Sequence, residues 1–159
     1  MSVRTGIGFD VHPLVLGRPL ILGGFSVPHE QGLAGHSDGD VLLHAVIDAI
    51  LGGAGQGDIG KHFPSSDERY RGIASTVMLQ KAVSLAKDAG WKTTYVDATI
   101  VAERPRLAPF IDRITSALAD AIGIGKNEVN LKAKSTDGLG FIGRGEGISA
   151  LAVATLERL

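Results

Sequence analysis

Apolar and polar positions alternate from the start of the chain. In GIGFDVHP (Gly6–Pro13), Phe9 and Val11 fall on one face of an extended strand and Asp10 and His12 on the other, because successive side chains point to opposite sides. Short apolar runs broken by Gly-Gly in RPLILGGFSVP, residues 18–28, predict a hairpin-like extension before Gly32. The period then lengthens. HSDGDVLLHAVIDAILGG, residues 36–53, predicts a helix with Ser37 or Asp38 as N-cap, Asp40 three residues after Ser37 in capping-box fashion, and Gly52-Gly53 as the stop. A second helix is predicted over roughly Ala74 to Ala89, with Met78, Ala82, Leu85 and Ala89 at helical spacing and Gly90 as its end. The strand WKTTYVDATIVAE follows. RLAPFIDRITSALADAIG then carries Leu107, Phe110, Ile111, Ile114, Leu118 and Ile122 on one helical stripe. A strand EVNLKAKS, a glycine-rich loop DGLGFIGRGEG and a last strand ISALAVATLERL complete the chain.

Helices and strands mix without a strict βαβα rhythm. The expected fold class is therefore α+β, with helices packed on one face of a mixed or antiparallel sheet as a ferredoxin-like two-layer sandwich. A length of 159 residues suits one domain, 1–159, with a core that needs no covalent staples. The chain has no cysteine, which excludes disulfides and thiolate metal sites and leaves His, Asp and Glu as the strong metal ligands. Sixteen Lys and Arg against seventeen Asp and Glu, with no basic run, give no footprint for nucleic acid. The N-terminus lacks a signal-type apolar core, and no apolar run approaches the roughly 20 residues that span a bilayer, so no membrane association and a cytoplasmic location are expected.

Chemistry concentrates around three residues. His44 shares a helix face with Asp40 and Asp48, either of which could accept one imidazole N–H while the other nitrogen binds a metal. Together with Asp10 and His12, His44 completes a set of two imidazoles and one carboxylate. That is the composition of a catalytic zinc site whose fourth position stays open. Plainer readings stand beside it. A D-x-H pair can be the polar face of an exposed strand, a lone helical histidine can be structural, and GLGFIGRGEG can be only a turn-rich connection. His29 and His62 lie in polar, turn-like contexts and are assigned no role.

Five motifs taken together, FDVH, HSDGDVLLHA, GDIGKHFP, ERPRLAP and KAKSTDGLGFIGRGEGI, resemble the 2-C-methyl-D-erythritol 2,4-cyclodiphosphate synthase family from Gly6 to the last strand. The resemblance implies conversion of 4-diphosphocytidyl-2-C-methyl-D-erythritol 2-phosphate to the cyclic diphosphate with release of CMP, a step of non-mevalonate isoprenoid biosynthesis. It also implies a homotrimer with active sites between subunits. By the same resemblance Asp10, His12 and His44 hold zinc, with Asp10 and His12 also near the substrate. His36 and Ser37 contact phosphate, His36 as a transition-state stabiliser. Asp58, Ile59, Gly60 and Phe63 line the methylerythritol pocket, and the segment Ala102 to Ala108, including Pro105, Arg106 and Leu107, reads the cytosine. Lys134, Ser135, Thr136 and Asp137 hold the diphosphate, with Ser135 catalytic and Asp137 toward a second divalent ion, magnesium or manganese. Phe141 and Arg144 follow as further contacts, the arginine near the trimer axis. Ser135 stands where the family often has threonine, Asp137 where it often has glutamate and Ser65 where an acid is common. The competing readings are a zinc-dependent phosphohydrolase and a non-catalytic trimer with a structural metal. The latter would normally need four protein ligands, and only three suggest themselves.

Overall fold

The computed structural model describes residues 1–159, and the alternation in the first strand organises it. Strand β1 (Val3–Leu16) runs antiparallel to β7 (Gly147–Arg158), with Phe9 opposite Leu151 and His12 opposite Ile148. On the far side of β7 lies β5 (Trp91–Val101), antiparallel to it, and then β6 (Val129–Lys134), parallel to β5. The C-terminal end of β1 also pairs with β4 (Gln31–Leu33), giving a mixed five-stranded sheet in the order β4-β1-β7-β5-β6. The expected hairpin is present as β2 (Leu20–Leu22) and β3 (Phe25–Val27).

The long helices are α1 (Val41–Ala54), α3 (Ser75–Asp88) and α4 (Ile111–Ile122); α2 (Ile59–His62) and α5 (Gly140–Gly143) are single turns. The α+β class is as expected, and the connectivity is not ferredoxin-like. The main elements run β1-α1-α3-β5-α4-β6-β7, whereas a ferredoxin-like chain alternates as β-α-β-β-α-β. The physical reason lies in β5 and β6: being parallel neighbours they need a crossover, which α4 supplies, so the last two strands follow one another with β5 lying between β7 and β6 in the sheet.

Alternation decides which face of the sheet meets the helices. Ile148, Ala150, Ala152, Ala154 and Leu156 of β7 and Val96, Ala98 and Ile100 of β5 are buried in a 35-residue apolar cluster under α1, α3 and α4. Each large side chain so buried contributes roughly 1.5–3 kcal/mol against exposure. The opposite face carries Ile7, Phe9, Val11, Leu151 and Val153, all exposed, with Ile7 at 71% and Phe9 at 57%.

Helix α1 reaches the sheet because β1 offers it bare backbone. A Cβ on Gly8 would stand 1.8 Å from the Ala45 carbonyl oxygen, and one on Gly6 would stand 1.9 Å from that of Ala49. The same closeness corrects the helix end. Gly52-Gly53 does not stop α1, since Gly53 is a contact residue against Gly6 and Leu156; the helix runs to Ala54 and is closed by Gly55 in the left-handed conformation at φ 71°. Its N-cap is Asp40 rather than Ser37 or Asp38. The fully buried Asp40 carboxylate accepts from the N–H groups of Leu43 at 3.0 Å, Gly23 at 3.0 Å and Gly24 at 2.7 Å, so one side chain caps the helix and satisfies the β2–β3 turn. No helix is long and apolar enough to cross a membrane.

Candidate active site

Past Gly8, the next inward positions of β1 are Asp10 and His12, and the first turn of α1 brings His44 over them. Asp10 Oδ2 lies 2.8 Å from His12 Nε2 and 3.0 Å from His44 Nδ1, and the two ring nitrogens are 3.1 Å apart. These are the three atoms that could hold one metal ion together. The remaining ring nitrogens show that the donor set fits. His12 Nδ1 is 2.5 Å from the Ala34 carbonyl, which can only accept, so that nitrogen carries a proton and Nε2 is the atom whose lone pair the neutral ring can offer a metal. His44 Nε2 lies among hydroxyls, 3.0 Å from Ser37 Oγ and 2.9 Å from Ser75 Oγ. When protonated on the nitrogens facing it, His12 and His44 are the donors to Asp10: burial pushes its carboxyl up, but their hydrogen bonds and charge outweigh it and hold Asp10 well below the usual carboxylate range, and a metal would bind by displacing those protons. For His12 burial acts downward and is outweighed by Asp10, so the imidazole is raised.

This arrangement corrects the expected partner of His44. Asp40 is occupied as the helix cap. Asp48 accepts the Ile59 N–H at 2.7 Å, and burial raises its carboxyl against the opposing effect of that bond. Asp48 therefore anchors α2 beside the Asp10–His12–His44 cluster. Asp58 caps α2 by accepting the Lys61 N–H at 2.9 Å.

A cleft of about 300 Å³ opens over the three ligands. Of the residues expected there, His36, Ser37, Ile59, Gly60 and Phe63 line it, and Asp58 is adjacent through α2. Tyr70, Ile73 and Met78 line it as well, and the sequence alone does not assign them to the site. Arg18 fixes the 35–37 segment by donating to the carbonyls of Gly35 at 3.1 Å and Ser37 at 2.9 Å. His36 Nε2 donates to the Asp67 carbonyl at 3.1 Å, leaving Nδ1 as its second polar atom.

A separate cavity of about 350 Å³ collects Ala102, Pro105, Arg106, Leu107 and Ala108 with Lys134 and Ser135, the expected nucleotide and diphosphate segments. They meet because β5 and β6 pair in parallel with Val101 opposite Lys134, and the Ala102 N–H donates to the Lys134 carbonyl at 2.9 Å. The Arg104–Pro105 bond is cis. Next to it, Thr136 Oγ1 donates to the Leu139 carbonyl at 2.7 Å, and Ser135 Oγ lies 3.3 Å from Asp137 Oδ1. Asp137 is held at φ 52°, an uncommon conformation for a residue with a Cβ. This cavity and the metal cleft share no lining residue. Phe141 and Arg144 border neither: Phe141 is exposed on α5, and Arg144 pairs with Glu146 at 2.6 Å beside a polar cavity of about 420 Å³ that His29 also lines. His62 donates to the Gln56 carbonyl at 2.7 Å, a turn contact.

Residues 3–157 match the YgbB family. The chain belongs to the YgbB family. It is 52% identical over 157 residues to the 2-C-methyl-D-erythritol 2,4-cyclodiphosphate synthase of Thiobacillus denitrificans, covering 99% of this chain and 98% of the relative. The bifunctional IspDF structure from Campylobacter jejuni superposes with a TM-score of 0.96 at 38% identity, over 99% of this chain and 43% of that one. A 2C-methyl-D-erythritol-2,4-cyclodiphosphate synthase solved in a CDP-bound form gives a TM-score of 0.89 at 36% identity, over 97% of this chain and all of that one. In this YgbB member the Asp10–His12–His44 cluster and the Lys134–Ser135 cavity are thus the two centres around which a function has to be read.

Proposed function

We propose that this YgbB-family chain, residues 1–159 as one domain, is a cyclodiphosphate synthase: it converts 4-diphosphocytidyl-2-C-methyl-D-erythritol 2-phosphate to 2-C-methyl-D-erythritol 2,4-cyclodiphosphate and CMP in non-mevalonate isoprenoid biosynthesis. The observation that carries the reading is the pairing of a three-ligand metal cleft with a separate cavity walled by Ala102–Ala108 and Lys134–Ser135, on a chain 52% identical to a synthase of that name.

In the reaction an oxygen of the substrate's 2-phosphate attacks the β-phosphorus, and the bond from that phosphorus to the bridging oxygen breaks with its electron pair leaving on CMP. The nucleophile is already anionic near neutral pH, so no protein base is required. What remains is to fold the substrate into an in-line geometry and to neutralise charge at phosphorus. Asp10, His12 and His44 would hold zinc, which supplies Lewis-acid polarisation of the phosphate oxygens. Ser37 would donate to phosphate from the cleft wall, and His36, whose Nε2–H is committed to the Asp67 carbonyl, would donate through Nδ1 as the imidazolium. Ile59, Gly60 and Phe63, with Asp58 at the head of α2, would enclose the methylerythritol. The backbone of Ala102, Pro105, Arg106, Leu107 and Ala108 would read the cytosine. Lys134, Ser135 and Thr136 would grip the diphosphate, Ser135 donating to charge that develops in the transition state. Asp137 would stand toward a second divalent ion, magnesium or manganese.

A substrate engaging both centres has to bridge cavities that have no common wall. The exposed apolar face of β1 and β7 supports the way this is met: three copies packed through Ile7, Phe9, Val11, Leu151 and Val153 about a common axis, with Phe141 and Arg144 toward it, each site joining one copy's metal cleft to its neighbour's nucleotide cavity. A cytoplasmic enzyme without nucleic-acid or membrane partners completes the reading.

The test is incubation of the purified protein with the diphosphocytidyl substrate in the presence of zinc and magnesium. CMP and a cyclic diphosphate should appear in equal amounts. Release of inorganic phosphate without CMP would replace the synthase by a phosphohydrolase.

A further inference from the structure

Behind the metal cluster, away from the cleft, a chain of hydrogen bonds runs from the loop before α1 to the head of α3. Asp38 Oδ1 accepts from Ser75 Oγ at 2.5 Å, Asp38 Oδ2 accepts from the Ser75 backbone N–H at 3.0 Å, and Ser75 Oγ lies 2.9 Å from His44 Nε2. Ser75 is completely buried. We infer that Ser75 and Asp38 are positioning residues for the metal site, fixing the ring orientation and the protonated nitrogen of His44.

The direction of each bond follows from chemistry. A carboxylate can only accept, so the single hydroxyl proton of Ser75 is committed to Asp38. The lone pairs of Ser75 Oγ then face His44, and Nε2 must carry the hydrogen. In the neutral ring that a metal needs, Nδ1 is then the nitrogen with the lone pair, directed at Asp10 Oδ2 and His12 Nε2. His12 is set in the same sense by the Ala34 carbonyl, so each histidine ligand has its own fixed acceptor on the side away from the centre.

The assignment also separates two serines that both touch His44 Nε2. Ser37 Oγ lies 3.0 Å from that nitrogen and accepts the Gly39 N–H at 3.3 Å, but no carboxylate takes its proton. With His44 already held by Ser75, the Ser37 hydroxyl has inside the chain only a long 3.5 Å approach to Ser75 Oγ, so its proton can be donated into the cleft that Ser37 lines. One serine orients the ligand and the other is spare for an anionic substrate.

A purely structural account would make Asp38 the cap of α3, whose N-cap residue Ala74 makes no side-chain hydrogen bond. Capping needs only the bond from Oδ2 to the Ser75 N–H. The second bond, to the Ser75 hydroxyl, adds nothing to a helix end, and it is the one that relays to His44.

The inference rests on Asp10, His12 and His44 being the metal ligands, and the test keeps the two apart. Zinc affinity is measured on the full-length protein by competition with a chromophoric chelator, alongside the melting temperature of the zinc-free form and the visible spectrum of the cobalt-substituted protein. The parent should bind about one zinc per chain. Ser75→Ala should bind it ~10- to 100-fold more weakly, with an altered cobalt spectrum and a zinc-free melting temperature close to the parent's. Asp38→Asn, which leaves one accepting oxygen for the donors of Ser75 and for the Asp40 N–H at 3.1 Å, should weaken zinc binding as well. Affinity in Ser75→Ala within about threefold of the parent's, with or without a change in melting temperature, would overturn the positioning role. A parent that binds no zinc would instead remove the ligand assignment beneath it.

Discussion

Around Asp10, His12 and His44 the polar atoms are buried or half-buried and nearly all are paired within the chain: His12 with Ala34, His44 with two serines, Asp48 with Ile59, Asp40 with three backbone N–H groups. Around Lys134, Ser135 and Asp137 the side chains are exposed, and the contacts among them are two long ones at 3.3 Å, the Ser135 hydroxyl to the Asp137 carboxylate and the Asp137 N–H to that hydroxyl. The first region is organised before any ligand arrives. The second presents donors and charge with little to hold them, which suits the substrate and neighbouring chain proposed for it. The contrast teaches that rigidity is concentrated at the candidate metal cluster, whose ligand geometry has tight tolerances, and exposure at the cavity proposed for the diphosphate.

The comparison can be broken most sharply by separating the two regions onto different chains. His12→Ala and Lys134→Ala proteins should each be nearly inactive. When unfolded and reassembled together they should regain activity corresponding to about a quarter of the sites, because the proposed shared site needs an intact cleft from one chain and an intact cavity from another, each present in half the copies. Activity assays on reassembled mixtures, with mixed trimers verified by mass, measure it; no recovery would mean that each site is built within one chain.

A smaller effect is expected at Ser135, on the exposed side. Ser135→Ala should lower turnover by ~10- to 1000-fold if its hydroxyl meets charge developing at phosphorus, whereas Ser135→Thr, which keeps the hydroxyl, should stay near the parent. Steady-state kcat for the three proteins decides it, and equal values for Ala and parent would show the hydroxyl idle.

The smallest effect concerns stability in the buried region. Burial pushes the Asp40 carboxyl up to about 6, despite the N–H groups of Leu43, Gly24 and Gly23, so the folded protein holds a proton there that the unfolded chain, near ~3.9, has lost. With more protons bound in the folded state, Asp40's contribution to stability is fully present below about pH 4 and is lost as pH rises through about 6, with a slope of at most ~1.4 kcal/mol per pH unit. Urea midpoints between pH 4 and 7 should show this component in the parent and not in Asp40→Asn.

Much of this was legible in the chain. Alternation in GIGFDVHP placed Asp10 and His12 on one face and a helical period placed His44 inside the first helix, because both readings depend on neighbours within one element; that the three meet was carried by the kind of ligand set they make and by the resemblance. The partner of His44 was not legible. Asp40 and Asp48 stand one turn away and suggested themselves, while the residues in contact with its outer nitrogen are Ser37 and Ser75, the latter 31 positions on and brought there by helix packing. The helix boundaries failed for a similar reason: Asp40 is the N-cap because its carboxylate also serves a hairpin turn 16 residues earlier, and Gly53 is a packing residue because Gly6 lies against it. The ferredoxin-like connectivity was an expectation about strand order, which local periodicity does not encode. The expected residues of the nucleotide side were found together because two strands pair in parallel, a non-local fact that the motifs carried by resemblance rather than by pattern.

Strand β1 presents its even positions, Gly6, Gly8, Asp10 and His12, to the helix and its odd positions, Ile7, Phe9 and Val11, to the outside. One stretch of backbone therefore writes two messages in alternate letters. Losing or gaining a single residue between Gly6 and His12 would exchange them, turning Phe9 and Val11 toward the ligand cluster and sending a carboxylate and an imidazole to the apolar exterior. Substitutions in this stretch can be absorbed one face at a time, but a change of length cannot. The interval from Gly6 to His12 is thus a reading frame for the fold, and its spacing is under tighter constraint than the identity of any one of its outward-facing residues.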